Sequence, residues 1–314
     1  MIDWTDSACR VFHRQMSSRA LLYTEMIAAP ALVRGRAFRL LAHDPGEHPV
    51  AVQLGGSDPA EMAEATRIAA DAGFDEVNLN VGCPSDRVQS GCFGAVLMRD
   101  PALVARICDG MVAASPVPVT VKCRIGVDDQ EPWEVLPAFL RRLRDAGIGR
   151  VIVHARKAWL QGLSPKENRE IPPLDYPLVL AMAREFPDLA ICLNGGIGSL
   201  AEAKALLDQG LAGVMIGRAA YQTPGEILIP ADREIFGGGM MRDPWQVAEA
   251  MRDPLARHLA AGGRLAAVTR HMLGLFAGRP GARGWRRVLS EEAHRPGAGL
   301  EVLDRALAEV SVSA

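Results

Sequence analysis

The sequence has no apolar run long enough to cross a bilayer. Its longest runs are of strand length, well short of the roughly 20 residues that a membrane-spanning helix needs. The N-terminus has no basic segment followed by an apolar one, so a secretory signal is not expected, and the reading is a cytoplasmic chain without membrane contact. Cysteine is sparse and scattered: Cys9, Cys83, Cys92, Cys108, Cys123 and Cys192 form no CxxC pair and no His-containing metal spacing. Neither a disulfide framework nor a metal site is indicated, and the six read as free thiols. Acidic residues are missing altogether between Pro254 and Ser290, a stretch that holds Arg257, Arg264, Arg270, Arg279, Arg283, Arg286 and Arg287. A net charge of −2 therefore conceals a candidate surface for a polyanion. What remains is 314 residues, 49% hydrophobic and 23% charged, enough for one large core and a smaller one.

Three segments repeat one pattern: Asp71-Ala-Gly73 before Val77, Asp145-Ala-Gly147 before Val151, and Asp208-Gln-Gly210 before Val214. In each, a glycine can take the left-handed position that stops a helix, and a β-branched run suited to a doubly buried strand follows. Recurrence of this unit implies a parallel sheet with helical crossovers. Extending outward from these anchors predicts strands near 21–23, 50–53, 77–80, 119–122, 151–154, 191–194 and 214–217. Asp58-Pro59-x-Glu61 has the form of a helix start. The fold class expected is α/β, a TIM barrel whose first strand is missing, followed by a small all-α bundle. The alternation stops after Tyr221, and the boundary is expected between 222 and 243, around Gly237-Gly-Gly239. That divides the chain into a catalytic barrel over 1–225 and a helical domain over 240–314.

Active-site groups of such barrels sit at the C-terminal ends of the strands. The polar residues there are Gln53, Asn80 with Cys83 just beyond, Lys122 with Arg124, His154, Asn194-Gly195-Gly196 and Gly217-Arg218. Singly, each reads as a structural residue or a turn; six at equivalent positions read as a site. Loops after the last two strands commonly hold phosphate, with backbone N–H groups and Arg218 as donors, so a phosphate-bearing cofactor is indicated. Lys122 would point a fixed positive charge into the barrel mouth.

The run Asn78-Leu-Asn80-Val-Gly-Cys83-Pro-Ser, the segment from His154-Ala-Arg-Lys-Ala-Trp159 through Ser164-Pro-Lys166-Glu-Asn168-Arg169, and Asn194-Gly-Gly-Ile closely resemble the tRNA-dihydrouridine synthase family. The long middle segment and Arg270-His-Met-Leu-Gly-Leu-Phe276 resemble its subfamily A, which acts on uridines 20 and 20a of the tRNA D-loop. The resemblance implies FMN, with Gln53, Lys122 and His154 around the ring system and Asn194, Gly195, Gly196, Gly217 and Arg218 around the phosphate. It implies NADPH as reductant, hydride transfer from the flavin to C6 of uracil, and a proton for C5 from Cys83. Cys92, in a second glycine-rich loop, competes for that role on residue type alone; the family pattern favours Cys83. Asn80 resembles a contact to the target base, and Lys166, Asn168 and Arg169 a loop approaching the uridine. The arginine-rich stretch, with Arg283, Arg286 and Arg287, is expected to hold tRNA phosphates while the barrel reads an extruded base. Trp285 reads equally as a stacking or a core residue. No metal and no obligate protein partner are indicated.

Three other readings share parts of this pattern. A barrel flavoenzyme acting on a free small molecule such as dihydroorotate shares the flavin site but leaves the arginine-rich helices without a task. A non-catalytic tRNA-binding protein would need no flavin, and a Schiff-base aldolase using Lys122 gives no role to Cys83. The family pattern also runs through a strand ending in Ala-Pro-Met, then a residue such as Met or Ile, then Asp-Trp-Thr-Asp; here only Met1 and Ile2 stand before Asp3-Trp4-Thr5-Asp6. A barrel lacking a strand exposes two edges, so the natural protein is expected to begin roughly 15 residues or more upstream, with Met1 and Ile2 within a flavin-contacting loop.

Overall fold

The β-branched and apolar runs form seven strands: β1 (Leu22–Ala28), β2 (Val50–Gly55), β3 (Glu76–Val81), β4 (Val119–Arg124), β5 (Arg150–His154), β6 (Ala190–Asn194) and β7 (Gly213–Met215). The computed structural model describes residues 1–85, 88–89 and 91–310. The strands pair in chain order, each parallel to the next, with β1 and β7 at the edges of one sheet. Helices Pro59–Asp71, Pro101–Ala114, Pro132–Asp145, Tyr176–Glu185 and Leu200–Leu207 form the crossovers. This is the expected TIM-barrel type of α/β fold, followed by helices only.

The helix signals operate as expected. Asp58 accepts from the Glu61 N–H at 2.8 Å, and Gly73, Gly147 and Gly210 have φ of 93°, 81° and 97°. No side chain but glycine takes that conformation without strain. Most strands differ from the expected bounds by one or two residues, and β1 and β7 show why. β1 continues to Ala28 across Thr24-Glu25, with a register shift between Tyr23 and Met26. Thr24 is held there by accepting the Gln53 N–H at 3.0 Å. β7 ends at Met215, which frees Gly217 to begin the next turn.

The faces of the strands divide the core. In β3 the order Glu76-Val77-Asn78-Leu79-Asn80-Val81 alternates, and all six are buried. Val77, Leu79 and Val81 pack outward with residues of the covering helices, such as Ile107 and Met111, while Glu76, Asn78 and Asn80 share the other face.

A second core lies among the C-terminal helices, around Leu255, Phe276, Trp285, Leu289 and Leu303. Trp285 is fully buried, with its indole N–H on the Met272 carbonyl at 3.0 Å; of its two readings, core prevails. Phe12 and Met16 belong to the same core, although they precede β1. They come from helix Ser7–Arg14 and the turn after it, the helix being capped by Asp6 through the Cys9 N–H at 2.9 Å. Asp6 also accepts from Arg270 at 2.6 Å and pairs with His271 at 3.0 Å, and Trp4 stacks on Tyr221 at 4.4 Å. The first residues are thus moored to the helical region and to the end of the barrel.

Candidate active site

Parallel register brings the strand-end residues to one end of the barrel. Asn80 lies opposite Lys122, Arg124 opposite His154, and His154 opposite Asn194. A chain of hydrogen bonds crosses the interior to this end. Arg150 donates to Glu76 at 2.7 Å, and Thr120 donates to the same carboxylate at 2.6 Å. Asn78 donates to Thr120 at 2.8 Å, Gln53 to Asn78 at 2.8 Å and Asn80 to Gln53 at 2.8 Å. The Asn80 side-chain oxygen then takes the N–H groups of Gly82 and Cys83, at 3.0 and 2.9 Å. Because each amide is held at both ends, its orientation is determined by its neighbours. Asn80, expected at the target base, therefore also fixes the loop that carries Cys83.

Cys83 is half-buried, its thiol 3.5 Å from the Ser85 hydroxyl. Cys92 is exposed and sits in a left-handed turn, φ 57°. Burial first, then the neighbouring Arg124, lowers the Lys122 pKa from 10.5 to about 8. His154 is buried, and desolvation together with Arg124 and Lys122 drives its pKa well below 6.5, so its ring is neutral. Its Nδ1 is buried without a partner. Such an atom is available to an ordered water or a ligand.

The turn after β6 is a close-packed glycine turn. Gly195 and Gly196 have φ of 109° and 78°, and a Cβ on Gly196 would lie 2.5 Å from Leu174 and 2.8 Å from the Tyr176 hydroxyl. Among the described residues, the N–H groups of Gly195, Gly196 and Gly217 meet no protein acceptor. Asn194 turns inward, donating to the Met215 carbonyl at 2.7 Å and holding β6 to β7. The Met1 sulfur stands 3.6 Å from where a Gly217 Cβ would be, beside the same turn, while Ile2 is exposed. Arg218, beside this turn, pairs with Glu170 at 2.8 Å.

The loop beyond β5 carries three further candidates. Lys166 and Arg169 are exposed, but Asn168 is fully buried. It accepts the Trp159 N–H at 2.7 Å and donates to the carbonyls of Trp159 and Leu163 at 2.9 and 3.1 Å. Its side chain staples the loop that carries Lys166 and Arg169. Arg124, at the end of β4, reinforces this by donating to the carbonyls of Gly82, Lys157 and Asn168 at 3.2, 3.0 and 2.8 Å. On the helical side, Arg283 and Arg286 lie on helix Ala282–Glu292, both exposed. Arg287, Arg257 and Arg270, however, pair with Glu309, Asp44 and Asp6, acids that lie outside the acid-free stretch.

A dihydrouridine synthase family profile matches residues 1–311. The chain belongs to the dihydrouridine synthase family. It is 53% identical over 312 residues to the tRNA-dihydrouridine(20/20a) synthase of Vibrio cholerae, covering 99% of this chain and 94% of that one. The Escherichia coli protein of the same name is 55% identical over 309 residues, 98% of this chain and 89% of that one. The Shewanella oneidensis protein, also so named, is 54% identical over 313 residues, 99% and 92% respectively. Within this dihydrouridine synthase, the helices that follow the barrel share one core with the helix that precedes β1. Among the described residues, no helix is long and apolar enough to cross a membrane, and no group of three or more His, Cys, Asp or Glu side chains could hold a metal ion.

Proposed function

We propose that the protein reduces the C5–C6 double bond of uridine in the tRNA D-loop, at positions 20 and 20a, using FMN and NADPH in the cytoplasm. The observation that carries this reading is the convergence of Cys83, Lys122 and the unpartnered His154 nitrogen with a glycine turn offering free N–H groups at one barrel end. The donor set fits a flavin nucleotide: a buried cation and a neutral imidazole for the ring system beside Gln53, and the backbone of Gly195, Gly196 and Gly217 for the phosphate.

A flavin held by Gln53, Lys122, His154 and the glycine turn would supply C6 of the uracil with a hydride drawn from NADPH. Charge then grows toward C5 and the adjacent carbonyl, and the Cys83 thiol donates the proton that C5 needs. Asn80 holds the Cys83 backbone in place for this transfer. Lys122, protonated below about pH 8, provides the fixed positive charge in the water-poor barrel mouth. Lys166, Arg169, Arg283 and Arg286 contact tRNA phosphates, the barrel (1–225) performing chemistry and the helical part (240–314) holding the RNA.

The test is mass spectrometry of unmodified tRNA after incubation with the protein, FMN and NADPH. Dihydrouridine at 20 and 20a is expected; oxidation of free dihydroorotate without tRNA reduction would select the small-molecule reading instead. Cys83→Ala should keep FMN and accept electrons from NADPH but reduce tRNA roughly 10²- to 10⁴-fold more slowly. Cys92→Ala should match the wild type, and reversed phenotypes would assign the acid to Cys92.

A further inference from the structure

We propose that Glu76, at the far end of β3 from the reaction, is a positioning residue that sets the direction of the hydrogen-bond chain leading to Cys83, an inference that rests on the reading of Cys83 as the proton donor. Glu76 is buried and opens β3; Asn80 lies four residues along the strand, about 13 Å away at ~3.3 Å per residue. A carboxylate only accepts. One Glu76 oxygen takes the Tyr23 hydroxyl at 2.7 Å and the Thr120 hydroxyl at 2.6 Å, and the other takes Arg150 at 2.7 Å. Burial and the Glu76 charge push the Tyr23 pKa up, which keeps that phenol a donor. Because the single proton of the Thr120 hydroxyl goes to Glu76, its oxygen is left to accept, and the Asn78 NH2 meets it at 2.8 Å. The Asn78 oxygen must then take the Gln53 NH2, and the Gln53 oxygen the Asn80 NH2, each at 2.8 Å. The Asn80 oxygen is thereby turned to the loop, where the N–H groups of Gly82 and Cys83 reach it at 3.0 and 2.9 Å.

Direction matters here because a side-chain amide can turn over with almost no change of shape, exchanging donor for acceptor. The two ends of the chain agree. Backbone N–H groups at one end can only donate, the carboxylate at the other can only accept, and each side chain between them donates toward Glu76 and accepts from the side of Cys83. Arg150 makes Glu76→Gln a decisive perturbation. A guanidinium cannot accept, so the glutamine turns its oxygen to Arg150 and its NH2 to the two hydroxyls. Thr120 then faces a donor, and Asn78 is the partner left for its proton. Meeting that proton turns over the amides of Asn78, Gln53 and Asn80 in succession, which sets the Asn80 NH2 against the N–H groups of Gly82 and Cys83. Leaving the amides as they are strands the Thr120 proton in a residue that is 1% exposed, so either arrangement carries a buried unpaired donor.

Amide hydrogen exchange read at single residues of the full-length, FMN-loaded protein tests the direction apart from catalysis. In Glu76→Gln the Gly82 and Cys83 amides should exchange about 5- to 100-fold faster, the range for one buried hydrogen bond, while the β3 amides of Val77 and Leu79 keep their protection. At saturating FMN, tRNA reduction should fall in kcat with KM nearly constant, since the thiol is misplaced and the RNA-binding surface is intact. Adding Arg150→Met frees the glutamine to turn its oxygen back to the hydroxyls, so the double variant should recover both the exchange protection and kcat. Arg150→Met alone keeps the carboxylate, and it should lower the melting temperature without exposing the two amides. Should Glu76→Gln fail to fold, Thr120→Val cuts the chain beside an intact Glu76–Arg150 pair and should expose the same two amides; amides held as in the wild type would overturn the proposal. Unchanged exchange at Gly82 and Cys83 in Glu76→Gln, or exposure that Arg150→Met does not reverse, overturns it equally and leaves Glu76 a residue of stability alone. Faster, reversible exchange with wild-type reduction rates supports the direction of the chain and overturns the assignment of Cys83 as the acid.

Discussion

Replacing Asn168 with alanine separates a loop staple from an RNA contact. The side chain is fully buried, takes the Trp159 N–H at 2.7 Å and gives hydrogen bonds to Trp159 and Leu163 at 2.9 and 3.1 Å. Alanine leaves one buried N–H and two carbonyls without those partners. An unsatisfied buried group costs about 1–3 kcal/mol, and carbonyls tolerate neglect better than N–H groups, so the expected loss is about 2–4 kcal/mol. This energy is local, because the bonds lie within residues 159–168 and Arg124 still holds the Lys157 and Asn168 carbonyls. The loss should appear as opening of the loop, with hydrogen exchange of its amides accelerated roughly 30- to 1,000-fold while amides of β4 and β5 keep their protection. FMN affinity should be unaffected, and tRNA reduction should weaken through KM as Lys166 and Arg169 lose their fixed positions. Unchanged loop exchange with weakened tRNA binding would refute this account and place the Asn168 amide directly on the RNA.

Two further predictions concern charge. Arg283→Ala with Arg286→Ala should lower the salt dependence of tRNA binding by about one counterion for each phosphate no longer neutralised, and Arg287→Ala alone should do less because Glu309 already neutralises it; measuring Kd across a salt series checks both, and equal effects from all three would show that the Glu309 pair does not persist with RNA bound. Lys122, with its pKa lowered to about 8, is charged below that pH and neutral above it, so steady-state reduction should decline as pH rises through about 8 and Lys122→Arg should abolish that inflection. The stability effect has the opposite trend: a depressed lysine pKa means the unfolded chain binds more protons between pH 8 and 10.5, so flavin-free wild type should gain stability relative to Lys122→Met across that window, and a parallel pair of melting curves would refute the buried-lysine assignment.

The fold is readable because its signals are local. A glycine three or four residues before a β-branched run requires only its own left-handed φ to stop a helix, and Gly73, Gly147 and Gly210 all adopt it. The length of β1 is not readable, since Thr24-Glu25 has no strand character of its own; its pairing with β2, and the Gln53 N–H in particular, carries the chain through. Nor could any local pattern send Phe12 and Met16 into a core whose other members begin more than two hundred residues later. Burial against a distant partner is a property of the whole chain.

The same distinction explains which parts of the site can be foreseen. Strand-end residues are found because parallel pairing collects them whatever the loops do: once β4, β5 and β6 are in register, Arg124, His154 and Asn194 must be neighbours. Charge availability is not readable, because it depends on partners supplied from elsewhere in the chain. Counting a stretch without acids makes Arg257, Arg270 and Arg287 look free, yet Asp44, Asp6 and Glu309 reach them across the fold. Arg218 looks free beside the glycine turn and pairs with Glu170, 48 residues earlier. Arg156 has no feature in the sequence to set it apart from its neighbours, yet among the described arginines its Nε is the buried nitrogen left without an acceptor. A guanidinium's capacity to bind an anion depends on what its ion pairs leave over, and those pairs are made by acids from distant parts of the chain.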